Sequence, residues 1–525
     1  MPIPYKYAVA LTAALGLFMA VLDSTIVNVA LATMEKDFHT NINSIQWVVT
    51  AYTLVQAAVI PAAGYLGNRF GLKRLFVVSL AIFTVGSILC GLSPDLAGRD
   101  GGDQWLVAFR VLQGIGGGML FPLGTAIAFS AFPPEERAVS SAVIAVPVLM
   151  APAFGPTIGG LIVDSRFGWP AIFFINGPIG LLAIFLIWRV MRPDVPARRD
   201  GTKQPGFDIP GLVLSMIGVV LVVYAFVLVS QTRSGTVTAT NPNGAINGWG
   251  YWPVWAVMVA GLALLAAFAI WELRFSRDPV LDLRLYQTYD FSVASLVTWI
   301  TRGAVFGAFL VVPLFLQQFQ GRSAVQAGLF LMGQGLGAIV GIQTGSRLYD
   351  RIGPRTVVVM GMIVLTVSTW LLAGVSPNSD WHFFEPILFL RGFGFGWTNL
   401  PVQTVALQSI TGRALPKASS LYNATAQVFT SIGVAVVSTL LVARTTSHAA
   451  GIARAALAGG GTPPSDLLLR AGTAATGDVF RILTVATGAA IVACFFLPRR
   501  SLKQQLAAGD VAPTGGPEPA HLPVE

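Results

Sequence analysis

Asp23 is the residue of this sequence with the clearest chemical potential, because it lies well inside a long apolar segment near the N-terminus. A charged side chain at the centre of a bilayer costs about 2.5–3.5 kcal/mol on insertion scales, so Asp23 is expected to face a helix bundle or a wet cavity. Apolar surroundings also favour the neutral form of a carboxyl group. A carboxyl group placed in this way can take up and release protons.

Arg110 is the predicted partner of Asp23. With a rise of about 1.5 Å per residue, Asp23 lies roughly 23 Å from the cytoplasmic start of its segment. By the same rise, Arg110 lies roughly 9 Å from the external start of an antiparallel segment, so the two reach a similar depth. We expect an ion pair that protonation of Asp23 releases. A static pair that only aligns two helices is the alternative interpretation.

Many membrane-spanning helices must surround these two residues. Of 525 residues, 54% are hydrophobic and 11% are charged, and the apolar residues come in blocks of about 20, which cross a ~30 Å hydrocarbon layer. An all-α membrane protein is therefore predicted. Its spans are placed at 8–31, 46–67, 75–93, 104–130, 139–163, 169–190, 208–230, 251–271, 291–316, 325–348, 356–375, 384–408, 418–442 and 479–497.

The net charge of +9 is explained by membrane topology. The basic residues are dispersed in short loops and form no single face or arm, which disfavours a nucleic-acid partner. Most of them fall on one side of the predicted spans, so the positive-inside rule places both termini in the cytoplasm of a multi-pass inner-membrane protein. The first apolar stretch, of about 24 residues, is too long for a signal peptide, and no cleavage is expected.

A repeat divides the chain into two halves. The stretch GYLGNRFGLKR at 64–74 returns 282 residues later as SRLYDRIGPR at 346–355. Arg110 is followed by glycines, and so is Arg391 at nearly the same offset. We therefore predict two pseudo-symmetric six-helix bundles with two helices inserted between them. The predicted domains are 1–191, a cytoplasmic linker at 192–207, the inserted pair at 208–290, a second bundle at 291–498 and a polar cytoplasmic tail at 499–525.

Four motifs carry a resemblance to a known family. They are LDSTIVNVAL at 22–31, the loop at 64–74, RVLQGIG at 110–116 and APAFGPTIGG at 151–160. In this order and on these helices they resemble the fourteen-helix drug:proton antiporter branch of the major facilitator superfamily. The resemblance implies proton-coupled export of amphipathic or lipophilic molecules by alternating access. It also implies that the fifth span packs near the interface of the halves and limits proton leak, through Pro152, Gly155, Pro156, Gly159 and Gly160.

The resemblance further implies a cytoplasmic gate at the repeated loops, although topology alone also requires charge there. Asn68 stands where the family usually has Asp, and Ala151 where it usually has Gly. Asn68 cannot act as a carboxylate toward an arginine, which puts the usual charged latch in doubt. The predicted gate consists of Gly64, Asn68, Arg69, Gly71, Lys73, Arg74, Asp350, Arg351, Gly353 and Arg355.

Polar and aromatic residues in or near spans are candidates for a substrate cavity, although ordinary helix packing is the alternative for each. Arg302 aligns with Ala20 by the repeat offset, so it faces the same central cavity, snorkels, or meets a lipid or an anionic substrate group. Arg391 is predicted to be structural, since Glu385 is the nearest carboxylate of its span. The candidates are Trp47, Tyr52, Gln56, Trp299, Arg302, Gln317, Gln318, Trp397, Asn399, Gln403, Asn423 and Gln427.

Other function classes find little support in the sequence. No HExxH or GxSxG motif lies at membrane depth, which disfavours an enzyme, and no Walker loop is present, which disfavours an ATP-driven pump. No cofactor or metal is predicted. The expected partners are a small-molecule substrate, protons, lipid and a periplasmic adaptor that could contact the external segment 443–478, to which no fold is assigned. Export of a lipid, siderophore or other metabolite is the alternative function.

Overall fold

The computed structural model describes residues 4–40, 42–45, 47–97, 102–193, 208–230, 247–276, 279–412, 414–459 and 464–507. Within these ranges the chain is built from helices. The long helices are α1 (Tyr5–Asp37), α2 (Trp47–Phe70), α3 (Leu72–Gly91), α4 (Gly102–Ala131), α5 (Arg137–Val163), α6 (Ala171–Val190), α7 (Ile209–Ser230), α8 (Trp252–Arg274), α9 (Tyr289–Leu314), α10 (Ala324–Ile352), α11 (Pro354–Leu372), α12 (Trp381–Gln408), α13 (Ala414–Ala458) and α14 (Leu467–Cys494).

Twelve helices of the described ranges are long and apolar enough to cross a bilayer. Helices α5 and α12, with 27 and 28 residues, complete the predicted set of fourteen. Short helical segments lie at Ile42–Ile45, Ser93–Ala97, Pro134–Glu136, Leu283–Gln287 and Leu502–Ala507, and a π-helical turn at Phe315–Phe319 follows α9. The predicted linker at 192–207 and the tail at 499–525 lie largely outside the described residues, as does 231–246.

The helices form the two bundles that the repeat predicts. In the first bundle α1 packs against α4, α5 and α6, and in the second α9 packs in the same way against α12, α13 and α14. Small residues allow close approach inside each bundle, as is usual in membranes. A Cβ atom at Gly116 of α4 would lie 2.6 Å from the Phe83 nitrogen of α3, and one at Gly394 of α12 would lie 2.7 Å from the Gly361 carbonyl oxygen of α11. The bundles meet along α5 with α10 and along α2 with α13.

The segment 443–478, to which the sequence analysis assigns no fold, is largely helical in its described residues. Helix α13 is 45 residues long and continues to Ala458, and α14 begins at Leu467. At about 1.5 Å per residue α13 is roughly 67 Å long, more than twice the hydrocarbon thickness. The segment after position 442 is rich in alanine, which has the highest helix propensity. Its low hydropathy marks the end of a membrane span and says nothing about the end of the helix.

Helices α7 and α8 pack against each other, and α7 also packs against both α2 and α13. Val219 and Val223 of α7 share one apolar cluster with Leu54 of α2, and Val428 of α13 packs against that cluster. The inserted pair therefore contacts both bundles and covers the groove where α2 meets α13.

Asp208 fastens the inserted pair to the first bundle. Its carboxylate accepts hydrogen bonds from Trp271 Nε1 at 2.8 Å and from Ser276 Oγ at 2.6 Å. The same carboxylate caps the start of α7 by accepting from the Gly211 amide at 2.9 Å. The Asp208 amide donates to the hydroxyl of Tyr65 in α2 at 3.2 Å. One buried side chain thus joins α7, α8 and the segment after α8.

We expect Asp208→Ala to lower the free energy of unfolding by about 1–3 kcal/mol, because it leaves buried donors without an acceptor. The matched control is Asp466→Ala, which removes an exposed i,i+4 pair with Arg470 and should cost at most about 0.5 kcal/mol. Thermal unfolding of both purified full-length variants measures the difference. Equal losses for the two variants would contradict the role given to Asp208.

Candidate functional site

Asp23 of α1 and Arg110 of α4 form a buried ion pair. Arg110 Nη1 lies 2.6 Å from Asp23 Oδ2. Asp23 is 1% exposed and Arg110 is fully buried. The structure therefore brings the two residues into contact, as their positions along antiparallel helices predict. In this conformation it also seals the carboxylate from water, so a proton can reach Asp23 only after the surrounding helices move.

Further contacts hold the Arg110 guanidinium in place. Nη1 also donates to Gln113 Oε1 at 2.6 Å, and Nε donates to the carbonyl oxygen of Val48 in α2 at 3.0 Å. The Tyr52 ring lies beneath the guanidinium, with its centroid 3.8 Å from Arg110 Cζ. Tyr52, a cavity candidate in the sequence, is 1% exposed and is instead part of this cluster.

Sequence reasoning missed three residues that support Asp23. Gln113 Nε2 and Asn176 Nδ2 donate to Asp23 Oδ1 at 2.9 and 2.8 Å. Asn176 also donates to Ser87 Oγ at 2.9 Å, so the cluster joins α1, α3, α4 and α6. Gln113 belongs to the motif at 110–116, and Asn176 is an amide in an apolar segment. The rarity that identifies Asp23 could have identified Asn176 as well.

Arg110→Gln is expected to destabilise the protein by about 3–5 kcal/mol, since removing one member of a buried ion pair leaves the other charge uncompensated. Adding Asp23→Asn should recover part of this loss, because no isolated carboxylate then remains. The four proteins of this double-mutant cycle are compared by thermal unfolding. Additive losses would mean that the two residues do not interact energetically.

The first copy of the repeated loop contacts its own bundle. Gly71 begins α3 with a φ of 95°, a left-handed conformation that favours glycine. Lys73 Nζ then donates to the carbonyl oxygens of Trp188, at 3.2 Å, and Met191 at the end of α6. Asn68, Arg69 and Arg74 lie at the same face of the molecule.

The second copy repeats this arrangement. Gly353 has a φ of 84°, and Arg355 Nε donates to the Leu497 carbonyl oxygen beyond α14 at 2.7 Å. The Arg351 carbonyl oxygen accepts a hydrogen bond from Gln504 Nε2 at 3.0 Å. Each predicted gate loop thus binds the end of the last helix of its own bundle or the segment that follows that helix. We call the face that carries Gly71 and Gly353 the basic face.

The bundles touch each other at the basic face. Gly64 of α2 lies against the Pro416 carbonyl of α13, and Ser419 Oγ donates to the Pro122 carbonyl oxygen of α4 at 2.9 Å. Arg137, which sequence reasoning missed, is 3% exposed and donates to the Ile410 carbonyl oxygen at 2.8 Å. It also donates to the carbonyl oxygens of Leu407 and Gln408. These contacts close the basic face in this conformation.

The glycines of the motif in α5 lie at two helix contacts. Cβ atoms at Gly155 and Gly159 would meet Thr25 Cβ at 2.9 Å and Ile26 Cγ2 at 3.1 Å, both in α1. A Cβ at Gly160 would meet Val325 Cγ2 of α10 at 2.5 Å. The side chains of Pro152 and Pro156 lie outside the described residues. Helix α5 is therefore closely packed on α1 and, across the interface, on α10.

The cavity candidates separate into several locations. Trp47 packs on Tyr224 of α7, and Trp397 lies inside the second bundle, where its Nε1 donates to Thr344 Oγ1 at 2.8 Å. Gln56 lies beside Gly117, and Asn423 donates to the Ser419 carbonyl oxygen of its own helix at 2.8 Å. Gln317 and Gln318 are exposed in the π-helical turn, whereas Asn399, Gln403 and Gln427 are partly exposed on α12 and α13.

The second bundle has a different residue at the position of Asp23. The repeat offset of 282 relates Asp23 to Val305, since 23 plus 282 is 305. Arg391, the counterpart of Arg110, donates through Nη2 to the carbonyl oxygen of Val305 at 3.3 Å. Arg391 therefore points toward the same position of its bundle as Arg110 does. That position carries the titratable Asp23 in the first bundle and Val305 in the second. In the part of the chain that the structure describes, no group of His, Cys, Asp and Glu could hold a metal ion.

The sequence matches one family profile and several named proteins. The profile of the Major Facilitator Superfamily matches residues 13–434 and 294–513. A multidrug resistance protein B homolog of Mycobacterium tuberculosis is 33% identical over 425 residues, which cover 81% of this chain and 74% of that protein. The multidrug export protein EmrB of Escherichia coli is 29% identical, and the match covers 85% of this chain and 83% of EmrB. The fatty acid resistance protein FarB of Neisseria gonorrhoeae is also 29% identical, covering 84% and 82%.

Solved structures share the fold. The human organic anion transporter MFSD10 superposes with a TM-score of 0.60 at 14% identity, covering 95% of this chain and all of that one. The proton:xylose symporter XylE superposes with a TM-score of 0.60 at 14% identity, covering 96% and 99%. At this identity the likeness concerns the arrangement of helices alone.

Proposed function

Since this chain belongs to the major facilitator superfamily, we propose that it is a proton-coupled exporter of amphipathic or lipophilic small molecules that works by alternating access. It is a multi-pass membrane transporter and not an enzyme. Proton coupling, the direction of transport and the substrate class are the proposed parts. The observation that carries proton coupling is the buried cluster around Asp23, in which one titratable carboxylate joins three helices of one bundle, α1, α4 and α6.

Protonation of Asp23 removes the charge that holds Arg110. In a low-dielectric interior this changes the interaction by several kcal/mol. Arg110 keeps Gln113 and the Val48 carbonyl as acceptors and Tyr52 as a stacking partner, so it loses its link to α1 while it remains bound to α2 and α4. The two protonation states therefore favour different positions of α1, and a proton gradient shifts the population between them.

The named relatives support the substrate class. Two of them are named for multidrug resistance or export, which favours chemically varied lipophilic compounds as the cargo. FarB is named for fatty acid resistance, which favours the second candidate, an exporter of a lipid or another endogenous metabolite.

The remaining topology is also proposed. The basic face is assigned to the cytoplasm of the inner membrane, with both termini there, because positive charge in short loops stays inside. The functional units are the bundles at 1–191 and 291–498, joined through 192–207 and the inserted pair at 208–290, followed by the tail at 499–525. A periplasmic adaptor is proposed to contact the end of the α13–α14 hairpin that extends from the opposite face.

Transport into inverted membrane vesicles tests this proposal. With an acidic lumen, a lipophilic dye should accumulate inside the vesicles and the lumen should become more alkaline as the dye enters. A protonophore should abolish both signals. Vesicles from cells without the protein are the control. Accumulation that requires ATP and no gradient would refute proton-coupled export.

A further inference from the structure

The proposed mechanism assigns no role to Arg302 of α9, a cation in the second bundle. No ion pair joins it to a carboxylate among the described residues. Its Nε is buried and has no hydrogen-bond partner. Its Cζ lies 5.1 Å from the centre of the Phe306 ring. An intramembrane arginine in this condition is costly unless a ligand or another charge compensates it, so a functional role is expected.

The neighbours of α9 show where Arg302 points. Val305 faces Arg391 of α12, and Gly303 and Gly307 lie against Gly433 of α13. Each helical residue advances by about 100°. Trp299, Arg302 and Phe306 therefore share one stripe between the α12 and α13 contacts, and α14 packs on another side of α9. The three side chains of this stripe are partly exposed, which favours a position on the side of α9 that faces the other bundle.

Trp299 supplies the second donor of this stripe. Its ring is stacked on Phe429 of α13, with centroids 5.0 Å apart and planes inclined by 4°. Its Nε1 is buried without a hydrogen-bond partner, as is Arg302 Nε. The hydroxyl groups of Tyr422 and Thr298 nearby are 2.7 Å apart and bind each other. Two N–H donors without a hydrogen-bond partner, one of them cationic, thus lie three residues apart on α9, each beside an aromatic ring.

This chemistry matches one ligand class. A carboxylate accepts hydrogen bonds from a guanidinium and an indole N–H and neutralises the cation. The aromatic faces of Phe306, Trp299 and Phe429 suit the apolar part of the same molecule. The charges of Asp23 and Arg110 cancel each other in the first bundle, so they do not oppose an anion here.

We infer that Arg302 and Trp299 bind the anionic head of an amphipathic carboxylate, so that lipophilic acids are a substrate class of this protein. This inference rests on the proposed export function for its consequence in transport, while the binding site itself stands on the geometry of α9 and α13.

Binding to the purified full-length protein tests the inference. The probes are dodecanoate, dodecanol and dodecyltrimethylammonium, which share one alkyl chain and carry a negative, a neutral and a positive head. The parent should bind dodecanoate most tightly. Arg302→Gln should weaken dodecanoate binding at least about tenfold, as expected for loss of a charge-assisted hydrogen bond, and leave dodecanol unchanged. Arg302→Lys should restore most of the loss. Trp299→Phe should weaken dodecanoate binding by a smaller factor.

Arg470→Gln, which removes an exposed cation in the first turn of α14, is the matched control and should bind all three probes like the parent. Unchanged dodecanoate binding in Arg302→Gln would overturn the inference. An equal loss for all three probes would also overturn it, because it would show a purely structural role. Gradient-driven uptake of dodecanoate is measured separately. If that uptake fails while binding depends on Arg302, the export proposal falls and the site remains.

Discussion

Asp23→Asn is expected to reduce gradient-driven uptake into inverted vesicles to the background of vesicles without the protein. The amide has the size of the carboxylate and can still accept a hydrogen bond from Gln113 or Asn176, but it cannot bind and release a proton. Substrate affinity should stay within about tenfold of the parent, because Asp23 is buried and contacts residues of its own bundle. Uptake under an acidic lumen and equilibrium binding to purified protein measure the two effects.

The control for this change is Asp466→Asn, the same chemical substitution at an exposed aspartate at the start of α14. It should transport like the parent. The stability of Asp23→Asn is checked by thermal unfolding, so that loss of folded protein is not mistaken for loss of coupling. Parent-like uptake by a folded Asp23→Asn protein would remove this residue from the mechanism.

Gly64→Ala is expected to stop transport by a different route. A Cβ atom at this position would lie 2.6 Å from Ser420 Oγ and 2.8 Å from the Pro416 carbonyl carbon, which is part of the α13 backbone. Helices α2 and α13 then cannot approach each other, so the conformation with a closed basic face becomes unfavourable. We expect at least a tenfold fall in transport rate, an effect of about 1.4 kcal/mol or more on the closed state.

Distances between labels at Phe70→Cys and Thr411→Cys report the opening of the basic face. They should increase in Gly64→Ala, and the native Cys90 and Cys494 are buried and should not react. Gly488→Ala is the matched control, because a Cβ there meets nothing closer than Thr366 Cγ2 at 3.9 Å. Unchanged label distances together with normal transport in Gly64→Ala would contradict the closure assigned to this contact.

The pairing of Asp23 with Arg110 could be predicted because regular helices convert sequence position into depth. Charged residues are rare inside spans, and a constant rise leaves few partners at the right level. The fourteen helices and the two bundles followed from block length and from the repeated loop for similar reasons. Each of these predictions uses a property that one segment carries by itself.

The contacts that sequence reasoning missed depend on groups without a sequence signal. Lys73, Arg355 and Arg137 all donate to backbone carbonyls, which every residue has. The resemblance predicts a cytoplasmic gate at the repeated loops, and in this structure Lys73 and Arg355 of these loops bind carbonyl oxygens within their own bundles. Asn176 is an amide within an apolar segment, and an amide that is buried also requires hydrogen-bond partners.

The position of α7 against both α2 and α13 limits how the bundles can separate. Because α7 is packed on both bundles, it is expected to act as a hinge when the bundles move. The bundles then separate most on the side of the molecule opposite α7. A lipid-soluble molecule that diffuses laterally from the bilayer cannot enter between the bundles where α7 and α8 cover their interface. Lateral entry of such a molecule is therefore expected between α5 and α10.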